Sequence, residues 1–173
     1  MENFTNSVIL PVNLPEIDSR DFNPLNRKYL IILAIRIVVL FLISAGGLAA
    51  FLILSDEKPP LWIILSVVAF IFLLIATSAL LTFLGFPKKG YLVREKDVSF
   101  QRGLITHRVT SVPLNRIQHV EVSQGVLAKI LGLSTVNIYT AGGNSSDLSI
   151  PGLPVDEAKR VKAFLSGKIS DYE

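Results

Sequence analysis

The chain has 173 residues, half of them hydrophobic and only 18% charged, with a net charge of +3 and a mean hydropathy of +0.52. So much apolar residue and so little net charge exclude a disordered chain. The absence of cysteine removes disulfide scaffolds, thiolate zinc sites and cysteine nucleophiles together. The apolar residues are gathered into two long blocks, which marks a membrane protein.

Residues 1–29 contain Pro11, Pro15 and Pro24 with several Asn and Asp. No basic region precedes a short apolar core with a small-residue cleavage site, so a secretory signal is not expected. The segment reads as an irregular cytoplasmic arm. Residues 30–54 follow, 25 residues with one charge, Arg36, and residues 61–86 are 26 residues with none. Each exceeds the roughly 20 residues that cross a bilayer as a helix. Between them lies Ser55-Asp56-Glu57-Lys58-Pro59-Pro60, whose prolines stop one helix and start the next. So short a loop forces an antiparallel transmembrane hairpin over residues 30–86. Ala45-Gly46-Gly47 and Ala49-Ala50 place small residues four apart, a pattern expected at the seam between the helices. Arg36 has no acidic partner in either span and is expected to snorkel to the headgroups. Arg20, Arg27 and Lys28 precede the hairpin, and Lys88, Lys89, Arg94 and Lys96 follow it, against one Lys in the loop. This asymmetry predicts a multi-pass protein of the cytoplasmic membrane with both termini cytoplasmic.

From Lys88 onward the composition turns soluble: 86 residues hold 12 of the 17 basic and 8 of the 14 acidic residues. Short strand-like runs are separated by turn residues. Tyr91, Leu92 and Val93 lead into a charged turn, and Val98 and Phe100 then share one strand face. Gly103 permits a tight connection into a strand over 104–112 that Pro113 ends. Val120 and Val122 mark the next strand. Residues 126–131, between Gly125 and Gly132, are one or two helical turns that either pack on the sheet, the favoured reading, or dip into the bilayer interface. Val136 and Ile138 point inward from a further strand, residues 141–146 form a flexible turn, and Leu148 and Ile150 mark the last strand. Val155, Ala158, Val161, Phe164 and Leu165 then recur at helical spacing over about 154–166.

The residues Val112-Pro113, Arg116-Ile117-Gln118, Gln124-Gly125, Leu131-Gly132-Leu133 and Thr140-Ala141-Gly142-Gly143 give residues 91–165 a resemblance to the bacterial pleckstrin-homology-like domain of membrane-flanked proteins. The resemblance implies a bent antiparallel sheet or partial barrel with a C-terminal capping helix, placed at residues 88–168. The expected fold class is thus an α+β membrane protein, a two-helix transmembrane hairpin followed by this domain. The resemblance also implies a bacterial or archaeal source and association with larger membrane proteins of the same family. It supplies no reaction.

The residues themselves offer no catalytic set. His107 and His119 would be neighbours if their strands paired, but no cysteine or carboxylate cluster completes a metal site. No HExxH, Gly-x-Ser-x-Gly or phosphate-loop motif is present. No catalytic, cofactor or metal residue is therefore assigned, and the protein is not expected to be an enzyme. Arg108 shares parity with Leu104 and Val112, which raises a buried pair with Glu121, and Arg102 and Arg116 are expected at exposed ends or turns. A net +4 on this segment, without interleaved aromatics, does not point to nucleic acid. The expected function is a membrane-anchored binding or scaffold module for a protein partner. The alternative is a sensor of anionic lipid, with Lys88, Lys89, Arg94, Lys96 and Lys129 as candidate membrane-surface contacts. A small transporter subunit is disfavoured by the lack of polar residues along the spans. The sequence leaves the oligomeric state open.

Overall fold

The computed structural model describes residues 21–55, 59–141 and 147–170, with side chains through Lys168. The arm through Arg20, the loop residues Asp56, Glu57 and Lys58, and the turn residues 142–146 lie outside the described residues. Two apolar helices come first, α1 (Tyr29–Leu54) and α2 (Leu61–Gly85). At 1.5 Å per residue they are about 39 and 37 Å long, enough to cross roughly 30 Å of hydrocarbon. They bury little: Ile53 and Leu54 are about 80% exposed, and Leu42, Leu61, Trp62, Phe70 and Phe72 are each exposed by 60% or more. A surface of that kind is stable in lipid, not in water. Three of their hydroxyls are satisfied within the helix, Ser44, Ser66 and Thr77 donating to the carbonyls of Leu40, Trp62 and Leu73 at 2.7–2.8 Å.

The seam between the helices differs from the small-residue expectation. Phe41, Ala45 and Leu48 of α1 face Val68, Ile71 and Phe72 of α2 around an apolar cavity. A methyl group added at Gly46 or Gly47 would meet nothing within 4 Å. Of the small residues, Ala45 lies in the seam, and the two glycines turn to open space.

Beyond α2, a 3₁₀ turn at Phe86–Lys88 leads into β2 (Gly90–Val93), β3 (Asp97–Arg102) and β4 (Arg108–Pro113). The fourth strand of this sheet is β1 (Asn23–Pro24), which precedes the hairpin. It pairs antiparallel with β2, Asn23 opposite Tyr91 and Pro24 opposite Gly90. Proline is tolerated there because β1 is an edge strand, and the order is β1-β2-β3-β4. The arm expected to be irregular thus enters the sheet. The strand after Gly103 starts at Arg108, not Leu104, because residues 103–107 form the connecting loop. Gly103 has φ +112°, and a Cβ there would fall 1.9 Å from the Thr106 carbonyl oxygen, so only glycine closes this loop.

A second sheet contains β5 (Ile117–Ser123), β6 (Leu133–Thr140) and β7 (Leu148–Pro154), in that order and antiparallel. Val120, Val136, Ile138, Leu148 and Ile150 face inward, as their alternation predicts. The helix α4 (Val155–Ser170) closes the domain. Ala158, Val161 and Leu165 are buried on the sheet, while Phe164 is 40% exposed and stands off it. Asp156 and Glu157 in its first turn and Lys168 in its last agree with the helix dipole. Two long apolar helices, two antiparallel sheets and a closing helix make up the expected fold class.

Two proposed neighbours are apart. His107 sits in the β3–β4 loop and His119 in β5 of the other sheet, so their strands do not pair. Arg108 is exposed and makes no buried pair with Glu121, which instead accepts from Tyr139 Oη at 3.0 Å.

Candidate membrane-surface site

The core of the domain is completed by both flanks of the hairpin. Phe22 and Leu25 of the arm, Ile32 of α1 and Phe86 after α2 are all buried, and Tyr29, Leu30 and Leu33 pack against the domain core. The clasp depends on Gly152 in β7. Its φ of +74° lies where the register of β6 and β7 shifts, and a Cβ there would sit 2.8 Å from Cβ and Cγ of Tyr29. Without a side chain, β7 comes close enough for its carbonyl oxygen at Gly152 to accept from the Asn26 amide at 3.3 Å. The domain is therefore seated directly on the hairpin.

Two apolar features lie at this seated end. One is the β3–β4 loop, where Ile105 is 83% exposed and Leu104 lines a cleft with Leu81, Thr82 and Gly85 of α2. The other is α3 (Val126–Ile130), which borders a cavity with Tyr29, Ile32 and Arg36 of α1. Val126 and Ile130 are 79% and 75% exposed, while Leu127 and Leu131 are half-buried. Residues 126–131 thus pack on the sheet by one side only. A five-residue helix turns its other side outward because β6 and α1 leave it one face to bury.

The cations divide by position. Lys88 is exposed in the turn after α2, and Lys89 is half-buried beside it. Burial, then the charges of Arg102 and Arg36, lowers the Lys89 pKa from its ordinary 10.5. Lys129 is exposed on α3. Arg94 and Lys96 lie at the other end of β2, about 13 Å along the strand from Gly90 at 3.3 Å per residue. There Arg94 is engaged by Asp97, Nε to Oδ1 at 2.8 Å and Nη2 to Oδ2 at 2.7 Å. The structure brings Lys88, Lys89 and Lys129 to the seated end and leaves Arg94 and Lys96 away from it. It adds three cations outside the expected contacts: Arg36, expected to snorkel, Arg102, expected at an exposed end, and Arg108, for which a buried pair with Glu121 is the expectation. Arg102 and Arg108 are directly opposite across β3 and β4. Their near-symmetric placement about Gly103–His107 was the available signal, visible only once the loop length is known.

Elsewhere the polar groups serve the fold. Tyr91 donates to Glu157 Oε1, tying β2 to α4, and burial together with that bond raises the Tyr91 pKa. Asp147 accepts from the Thr140 hydroxyl and, at 2.9 Å, from its amide, which lowers its pKa below the ordinary 3.8. Among the described residues no three His, Cys, Asp or Glu side chains gather to hold a metal.

A membrane hairpin carrying a seated two-sheet domain with a capping helix is the architecture of a pleckstrin-homology-like membrane protein. The chain belongs to the bacterial PH domain family, whose model matches residues 29–169, hairpin included. It is 40% identical over 76 residues to the UPF0699 transmembrane protein YdbS of Bacillus subtilis (strain 168), covering 44% of this chain and 46% of that protein. To the UPF0699 transmembrane protein YdbT of the same organism it is 28% identical over 54 residues, 31% of this chain and 11% of the relative. The matched stretches thus span about half of one relative and about a tenth of the other. No solved structure matches the chain.

Proposed function

We propose that this chain is a non-enzymatic, membrane-anchored binding module whose domain rests on the cytoplasmic leaflet and offers its outer sheet face to a protein partner. The observation that carries the reading is the shared core. Residues before and after the hairpin complete one hydrophobic interior, so the domain is held at the bilayer and cannot swing away on a linker. The same pairing of β1 with β2 suits an arm and a domain on one side of the membrane, and the Lys/Arg asymmetry makes that side the cytoplasm. Ile105, Val126 and Ile130 are apolar, exposed and at the seated end, where contact with the interfacial region stabilises them.

The partner face we assign is the outer side of β5–β6–β7. His119 stacks on Tyr139 with ring centroids 4.2 Å apart, and Tyr139 is held by Glu121. Asn137 bridges Ser123 and Ser149 at 3.0 and 2.9 Å. An ordered polar face of this kind suits recognition of a protein, with a larger membrane protein of the same family as the partner we favour. The lipid-sensor alternative is supported by the cations at the seated end, and in this reading those contacts position the domain.

The test uses the absence of native cysteine. Ile105→Cys, Val126→Cys and Ser149→Cys, each carrying a fluorophore, are placed in full-length protein in nanodiscs containing lipids with quenchers at graded depth. Quenching at 105 and 126 but not at 149 is expected, and a photo-crosslinker at Tyr139 in intact cells should yield a protein adduct. Equal exposure of all three positions to water would sink the seated arrangement. A C-terminal reporter fusion active only outside the cytoplasm would overturn the orientation.

A further inference from the structure

Two concavities meet where the end of α2 touches the β3–β4 loop. One, of about 300 Å³, runs beside Leu81 and Gly85 of α2 and is walled by Leu104 and Ile105. The other, of about 290 Å³, is lined by Lys89, Arg102, Thr106 and Arg108. Lys89 and Gly103 border both, so the two halves form one cleft. Its apolar half follows the last turns of a membrane helix, and its cationic half begins just past the helix end. That is the depth order of an acyl chain and a phosphate.

The cationic half is uncompensated. Arg102 and Arg108 are directly opposite in the β3–β4 register, an arrangement that costs free energy unless an anion lies between the charges. Lys89 adds a third positive charge at the same wall, already partly desolvated. Arg94–Asp97 is the ion pair recorded among the described residues, and it lies at the far end of β2. Among the described residues no carboxylate pairs with Lys89, Arg102 or Arg108.

We propose that this cleft is a specific site for one anionic glycerophospholipid of the leaflet on which the domain rests. Lys89, Arg102 and Arg108 hold its phosphate, and the groove between α2 and Leu104–Ile105 takes the upper part of an acyl chain. The assignment rests on the seated reading above and adds a ligand to it. A free phosphate would satisfy the same cations, but it would leave the apolar half without an occupant.

The experiment is native mass spectrometry of the full chain released from mixed phosphatidylcholine and phosphatidylglycerol vesicles. One retained phosphatidylglycerol per chain is expected. Lys89→Gln/Arg102→Gln should lower that retention about thirty-fold, at the usual strength of two surface cations against anionic lipid. Lys162→Gln, exposed on α4 and outside the lining of the cleft, should leave it unchanged. Leu104→Trp, which fills the apolar half and keeps every charge, should also lower retention, and it decides the matter if the double variant does not fold. Equal retention of both lipids by the parent, or unchanged retention in both the double variant and Leu104→Trp, would overturn the site. Complete displacement by millimolar inorganic phosphate would make it a phosphate site and refute the lipid. Depth quenching at position 105, measured on the double variant, separates the two levels. If quenching persists while retention shows no preference, the lipid site fails and the seated reading stands. If quenching is absent in the parent too, the seated reading itself fails.

Discussion

Tyr91 and Asp147 carry the clearest electrostatic assignments among single residues outside the membrane. The Tyr91 ring is buried and its hydroxyl donates to Glu157, so Tyr91→Phe removes a bond to a charged acceptor. A loss of about 1–2 kcal/mol is expected, read as a lower midpoint for thermal unfolding of the full chain in detergent. The folded pKa of Tyr91 is raised, so its contribution is complete below its ordinary value of 10 and fades as pH rises above it. Asp147 has the opposite sign. Its folded pKa is depressed by Thr140, so its contribution is present above 3.8 and is lost as pH falls through the lower, folded value. The Thr140 amide shift, followed by NMR, should titrate in that acid range in the parent and stay flat in Asp147→Asn. Ser134 offers a contrast, since its Oγ is buried with no hydrogen-bond partner among the described residues. Nothing in the structure explains that hydroxyl.

The closing helix is where patterning at the level of the element was most informative and also where it overreached. Helical spacing selects Val155, Ala158, Val161, Phe164 and Leu165, and three of these are fully committed to the sheet. Phe164 is one residue round from Leu165, and the stripe is too narrow to bury both. Val161→Asp should therefore cost several kcal/mol by placing a carboxylate under the sheet without a partner, while Phe164→Asp should melt close to the parent. Similar midpoints for the two variants would mean that α4 is rotated from the packing described. The same limit of one-dimensional pattern applies to β3. Val98 and Phe100 alternate as an amphipathic strand should, yet Ser99 and Gln101 are buried as well, because β3 is interior to its sheet. Ser99 is satisfied by Ser111 at 2.7 Å and Asp97 at 3.1 Å.

For the whole molecule the shared core has a direct consequence. A fragment of residues 88–173 lacks β1, Phe22, Leu25 and the first turns of α1, all of which the domain uses. Such a fragment should give poor NMR dispersion and a broad thermal transition. Joining residues 21–33 to residues 86–170 through a Gly/Ser linker, in place of the spans, should restore dispersion. A cooperative, well-dispersed 88–173 fragment would mean that the flanks decorate the domain and do not complete it. Gly152 controls the same seating, as its positive φ and its contact with Tyr29 leave no room for a side chain.

The sequence by itself determined the two spans, the short loop between them, most of the strands and the final helix. Those depend on run length, proline and local periodicity, each read within a few residues of chain. It also carried the family resemblance through residues at strand ends and turns. Only the tertiary structure decided that Asn23–Pro24 joins the sheet across 65 intervening residues, since two residues have no period to read. It alone separated the cations, sending Arg94 to Asp97 and gathering Lys89, Arg102 and Arg108 around one cleft. Basic residues look alike along a chain. The strand register and the length of one loop fix which of them share a surface, and pairing over distance sets both.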